Sequence, residues 1–324
     1  MSDGTVTASP GRLRNGAPDA TAVAGTLDAR RWLQLGLATV WLLDGVLQLQ
    51  SFMYTKGFAQ MLGGTAASNP AVIAHPITWA AGVVAHHLAV TNTVFATIQL
   101  LLGIGIAWRP ALKPALAASI VWSVAVWWFG EGLGGVLFGG ASPVSGAPGA
   151  VILYALLAVL LWPVDPDAPP APFVAARPVG AALARALWLV LWGSLAYFAV
   201  TAANRTAQGL HDMVSGMASG EPGWLAAVNR GMAGVLAHRG LAASIVLAVL
   251  LTAIAVGIFG PRWVARAAVV LAVLVSAVIW VCGQDVGGIL AGGATDPNSG
   301  LLLGLVALAY WPAGITPASE GIAS

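Results

Sequence analysis

The chain has 324 residues, of which 58% are hydrophobic and only 8% charged, with a formal net charge of +2. A soluble domain carries about 25% charged residues, so these side chains cannot cover a water-facing surface and the bilayer is the natural solvent. The small charge and the scattered Arg and Lys exclude nucleic acid as a partner. The single cysteine, Cys282, excludes an intramolecular disulfide and any multi-cysteine metal or iron–sulfur centre.

Residues 1–28 are small and polar and are broken by Pro10, Gly11, Gly16, Pro18 and Gly25, so a mobile cytoplasmic tail is expected there. The first apolar run follows Arg30-Arg31. It is too long for a signal-peptide core and reads as a retained first span over about 32–49, with Asp44 inside it. A long connection, 51–87, is broken by Gly57, Gly63-Gly64, Pro70 and Pro76, and is expected to hold short interfacial helices. The second span covers about 88–108, the basic turn Arg109-Pro110-Ala111-Leu112-Lys113-Pro114 follows, and the third covers about 115–129. A glycine-rich stretch, 130–146, leads to a fourth span over about 149–162.

Residues 164–180 form a Pro-rich linker, because proline removes amide donors and clashes with a preceding helical turn. Four more apolar runs follow, over about 186–203, 241–259, 267–280 and 301–311. The glycine stretch recurs among them. Gly134-Gly135 answers to Gly287-Gly288, Gly139-Gly140 to Gly292-Gly293, and one added residue, Asp296, sets Pro143 opposite Pro297. Ala81–His87 aligns without gaps on Ala233–Arg239, and both halves stop at Trp-Pro, Trp162-Pro163 and Trp311-Pro312. The expected architecture is an all-α integral membrane protein of eight transmembrane helices. Two four-helix repeats, 29–163 and 181–313, precede a short tail, 314–324. Four spans per half is an even number, so the repeats enter from the same side and are parallel, related by a pseudo-two-fold axis along the membrane normal.

With the N-terminus inside, the inner segments hold ten Lys and Arg and the outer segments four, which sum to the 14 present. This bias places both termini in the cytoplasm. Richness in Ala, Gly and Trp fits a high-GC bacterial coding style, so the expected location is a bacterial plasma membrane.

Acids at membrane depth are functional candidates. Glu131 sits beside Trp127, Trp128 and Phe129 at the end of the third span, where it either serves a site or is an interfacial acid that reaches water or caps a nearby helix. Asp44 must face the bundle interior, because facing lipid would cost roughly 3 kcal/mol. Asp285 and Gln284 occupy the matching end of the seventh span, with Gln284 opposite Glu131. His86, His87 and His238 begin equivalent spans on the expected outer face. These seven residues are the ligand-binding candidates, in an outward-facing cavity between the repeats. The histidine spacing matches no metal motif, so no metal site is assigned. No residue set identifies catalysis, and no cofactor is legible.

The opening Trp41-Leu42-Leu43-Asp44-Gly45-Val46-Leu47-Gln48, the long outer connection and the turn Trp108-Arg109-Pro110 resemble the DoxX-like family of small four-helix membrane proteins, here as a tandem duplication with a second copy that lacks Asp44. The resemblance implies a four-helix bundle per half. Some members of that family are linked to quinone-coupled sulfur oxidation and others to redox-stress complexes. The expectation is a non-enzymatic membrane subunit or a bundle binding lipid or quinone, with other membrane or redox proteins as partners. The alternatives are a quinone-linked or metal-assisted oxidoreductase and a small-molecule transporter.

Overall fold

Long apolar runs without polar alternation can satisfy their backbone only as helices once water is absent. The computed structural model describes residues 20–67, 69–137, 139–165 and 170–312, and among them every regular element is helical. In chain order these are α1 (Ala20–Leu47), α2 (Lys56–Gly64), α3 (Ala71–His86), α4 (Leu88–Ala107), α5 (Leu112–Phe129), α6 (Ala150–Leu160) and α7 (Ala176–Val179). Then follow α8 (Ala181–Ala199), α9 (Ala202–Arg205), α10 (Gly209–Met217), α11 (Gly223–Leu236), α12 (Gly240–Gly257), α13 (Arg262–Val278) and α14 (Asn298–Ala309).

Among the described residues, five helical stretches are long and apolar enough to cross a membrane: Leu88–Ala107, Arg109–Phe129, Ala181–Ala199, Gly240–Gly257 and Arg262–Ala291. Their outer faces carry exposed large apolar side chains, among them Val90, Leu101, Val121, Val190, Val249 and Leu274. A water-soluble surface rarely presents so many, so the protein is membrane-embedded.

The short helices α6 and α14 form the centre. They pack against each other, α6 also against α5 and α14 against α13. Tyr154, Leu157, Ala158, Leu160, Leu303, Val306, Ala307 and Tyr310 are fully enclosed there. At a rise of about 1.5 Å per residue, their 11 and 12 residues span roughly 17 and 18 Å, against a hydrocarbon core of about 30 Å. Neither crosses alone. The glycine-rich stretches ahead of them fold as tight turns rather than regular helix. Leu133 and Gly134 take φ of 56° and 62°, and Val286 and Gly287 take 56° and 80°.

Several expectations are corrected. Helix α1 begins at Ala20, inside the segment read as tail, because no proline follows Pro18 and one helical glycine, Gly25, costs only about 1 kcal/mol; residues 1–19 and 314–324 lie outside the described residues. Part of the stretch read as a Pro-rich linker packs against the bundle. Residues 166–169 lie outside the described residues, but Phe173 to Ala176 are buried, and the Ala175 amide donates to Ala309 O at 2.9 Å. Apolar Phe173-Val174-Ala175-Ala176 outweighs the neighbouring prolines.

The alignment of the glycine stretches also changes. Trp127 Nε1 donates to Pro148 O at 2.8 Å, and Trp280 Nε1 donates to Pro297 O at 2.7 Å. The two indoles thus bind the carbonyls of Pro148 and Pro297, whereas the sequence alignment sets Pro143 opposite Pro297. The indole bond sets the register just before each short helix, and the loop ahead of it absorbs the difference in length.

Candidate functional site

A cavity of about 330 Å³ opens within the first-half bundle, among α1 to α5 and the start of α6. Its walls include six aromatic rings, Trp41, Phe58, Trp79, Phe95, Trp122 and Phe129. Three carboxyl groups reach it: Asp44 from α1, Glu131 from just beyond α5, and Asp296 from the loop before α14. Gln48, Thr65, Thr91, Gln99 and Thr295 supply the remaining polar lining, and no Lys, Arg or His is among the lining residues. The size fits the usual range for small-molecule sites, about 300–1,000 Å³, and so does the mix of apolar wall and few polar groups.

Glu131 holds the N-terminus of α6. Its Oε1 accepts from the Ala150 and Val151 amides, both at 3.1 Å, and its Oε2 from Val151 at 3.4 Å. The first amides of a helix have no partner within the helix. Glu131 therefore does cap a helix while also facing the cavity. Burial is the main cause that pushes its carboxyl up to about 8, with the neighbouring Asp296 adding to it and the two amides opposing it. Gln284 does the same work for α14. Its Oε1 accepts from Gly300 N at 2.9 Å, and its Nε2 donates to Ser299 Oγ at 3.0 Å and to Pro143 O at 3.2 Å.

Asp296 is held by its own loop. Oδ1 accepts from Asn298 N and Oδ2 from the Thr295 hydroxyl, both at 2.7 Å. Burial raises its carboxyl, and these two hydrogen bonds oppose the rise. Asp44 is 2% exposed, and its Oδ1 has no hydrogen-bond partner. The Tyr154 hydroxyl of α6 lies beside it, but no hydrogen bond of normal geometry joins them.

The loops before α6 and α14 are exchanged between halves. Residues Thr295 and Asp296 enter the first-half cavity, and Gln50 Nε2 donates to Ala294 O at 3.4 Å. In the other direction Val144 enters the second half and packs with Leu210, Val214 and Ala233. A polar loop meets an open space on one side, and an apolar side chain joins a packed cluster on the other.

Of the seven candidate residues, the structure brings two to the cavity, Asp44 and Glu131. Gln284 is fully buried at the α14 cap. Asp285 is buried close to Glu221, away from the cavity lining, with both carboxylate oxygens unpartnered. His86 is exposed, with Nδ1 2.7 Å from Gly82 O, and His87 is exposed at the α3–α4 junction. The His238 ring lies 3.4 Å from Gln208 Nε2. None of the three histidines lines the cavity, which lies among α1 to α5 and the start of α6, with Thr295 and Asp296 reaching it from the other half of the chain. The repeated histidine position marks a helix end. Asp296 and Tyr154 were missed. Asp296 reads in the sequence only as a loop insertion, and Tyr154 as one more residue of an apolar run. Among the described residues no cluster of His, Cys, Asp and Glu has the arrangement to hold a metal ion.

Comparison with family models, with curated proteins and with solved structures gave no match.

Proposed function

We propose that this protein is a membrane-embedded binding bundle that holds a lipophilic ligand in the first-half cavity, its polar head against Asp44, Glu131 and Asp296. The observation that carries this reading is the cavity itself: an aromatic-walled space where unpaired polar groups converge inside a membrane protein. Polar groups at that depth need partners, and a ligand head supplies them. Asp44 Oδ1, Gln48 Oε1 and Gln99 Oε1 are buried acceptors without donors. They favour a head that donates hydrogen bonds over a quinone, whose carbonyl groups only accept.

The architecture we assign is two parallel four-helix repeats of the DoxX-like kind, with eight membrane-inserted segments in a bacterial plasma membrane. In this reading α6 and α14 are half-length segments completed by the glycine turns. The paired Trp–Pro hydrogen bonds and the Glu131 and Gln284 caps support the repeat. Both termini then face the cytoplasm. In a Cys282→Ala background, an impermeant thiol reagent added outside cells is expected to label cysteine at exposed Ser219 and not at exposed Lys113; the opposite pattern inverts the topology.

Filling the cavity tests the ligand. Ala125 lies in the wall, and Ala125→Phe adds a ring where the ligand would sit. Organic extraction of purified protein followed by mass spectrometry is expected to recover a lipophilic compound from the wild type in near-stoichiometric amount. The variant, at equal folded yield, is expected to retain less than about a tenth, a loss of roughly 1.4 kcal/mol or more. Equal recovery from both would remove the cavity from consideration.

A further inference from the structure

Three carboxyl groups share one cavity with no basic side chain in its lining. In a low-dielectric site, like charges this close cannot all be ionised, and an unpaired buried charge is costly. At least one of the three therefore carries a proton unless a cation sits among them. The groups that face the three acids are few. Asp44 comes from α1, Glu131 from the end of α5, Asp296 from the loop before α14, and Tyr154 from α6. The lining positions of α2, α3 and α4 include Met61, Trp79, Thr91 and Gln99, and none of the residues those helices place in the wall is titratable.

The unpartnered atoms lean the same way. Asp44 Oδ1, Gln48 Oε1 and Gln99 Oε1 are acceptors on side chains more than nine-tenths buried; against these three, the fully buried donors without a partner are Trp122 Nε1 in the lining and the Tyr154 hydroxyl beside Asp44. An occupant that donates several hydrogen bonds relieves more of this imbalance than one that accepts. Aromatic walls suit a cation as well, since ring faces attract positive charge. An ammonium group on an apolar body meets all three conditions: charge, donors and shape.

We propose that the cavity takes a protonated lipophilic amine and exchanges it for a proton. The proposal rests on the binding function above and names its ligand class. The ammonium keeps its N–H bonds and donates to the carboxylates. One carboxylic O–H bond breaks, and its proton leaves to bulk water, so charge in the cavity is conserved. Raised carboxyl affinity for protons at Glu131 and Asp296 is consistent with a site that is protonated when empty.

The test is calorimetry on the detergent-solubilised full chain with 4-phenylbutylamine and its uncharged counterpart 4-phenylbutanol, at neutral pH in two buffers of different protonation heat. Ala125→Phe supplies the baseline for partition into micelles. The amine is expected to bind at least about tenfold more tightly than the alcohol and to release about one proton. Asp44→Asn should weaken the amine about tenfold and leave the alcohol within about twofold. Glu131→Gln should reduce proton release while the protein still folds, because Gln284 performs the same capping with an amide. Equal binding of amine and alcohol overturns this inference and leaves the binding function standing. Tighter amine binding without proton release overturns the exchange. No saturable binding of either compound overturns the inference and the binding function together.

Discussion

Gly134→Ala is expected to destroy the folded protein rather than weaken it. A Cβ at this position would lie 2.0 Å from Pro148 O and 2.3 Å from Pro148 C, both backbone atoms that cannot swing away. The residue also sits at φ 62°, where a side chain costs roughly 1–2 kcal/mol by itself. Clash and strain together should exceed about 4 kcal/mol, at the far end of single-residue effects. Gly287→Ala meets the same geometry, with its Cβ 2.4 Å from Pro297 C. Gly139→Ala is the control: φ is 75°, but no atom of the described residues beyond its chain neighbours lies within 4 Å, so only the strain applies. Size-exclusion profiles of detergent extracts should show monodisperse protein for Gly139→Ala and aggregate or nothing for the other two. Normal yield from Gly134→Ala would mean that the turn does not pack against Pro148 as described.

Glu131 separates capping from charge. Glu131→Ala strands the Ala150 and Val151 amides at the start of α6, and each unpaired buried amide costs about 1–3 kcal/mol. Glu131→Gln keeps an acceptor and should cost less than about 1 kcal/mol. The pH dependence has a definite sign. With an ordinary value of 4.5 and a folded value of about 8, the folded protein binds the extra proton between these limits. Stability contributed by this group is therefore full below about pH 4.5 and falls as pH rises to about 8. Thermal unfolding from pH 5 to 8 should show that decline in the wild type and a flatter profile in Glu131→Gln. A variant as steep as the wild type would assign the decline to other groups.

How much of this was legible in the sequence follows from what each residue had to do. Asp44 and Glu131 stood out because an acid inside an apolar run has few tolerable places, and both do face the cavity. The pairing of Glu131 with Gln284 was legible from alignment alone, and the two side chains make equivalent caps. The exchange of loops was not legible. Asp296 and Val144 belong to opposite halves of the chain from the bundles they enter, and no local pattern marks that crossing. Pro143 and Pro297 matched by composition, yet the indole of Trp127 binds Pro148 O, a carbonyl within two residues of the start of α6, as the indole of Trp280 binds Pro297 O just before α14. The histidines misled because they recur. Recurrence reported a shared helix end, while the cavity depends on residues in which the halves differ.

Photolabelling tests the central claim, a ligand cavity enclosed by the first-half helices, most directly. A neutral alkyl diazirine applied to the reconstituted protein, with and without excess unlabelled competitor, would be mapped by peptide mass spectrometry. Saturable labelling is predicted at cavity residues such as Met61, Phe95 and Val126 and should vanish in Ala125→Phe, while labelling of lipid-facing Val121 and Val249 should be unaffected by competitor. Labelling confined to lipid-facing positions, or a saturable component in the second-half bundle, would contradict the account.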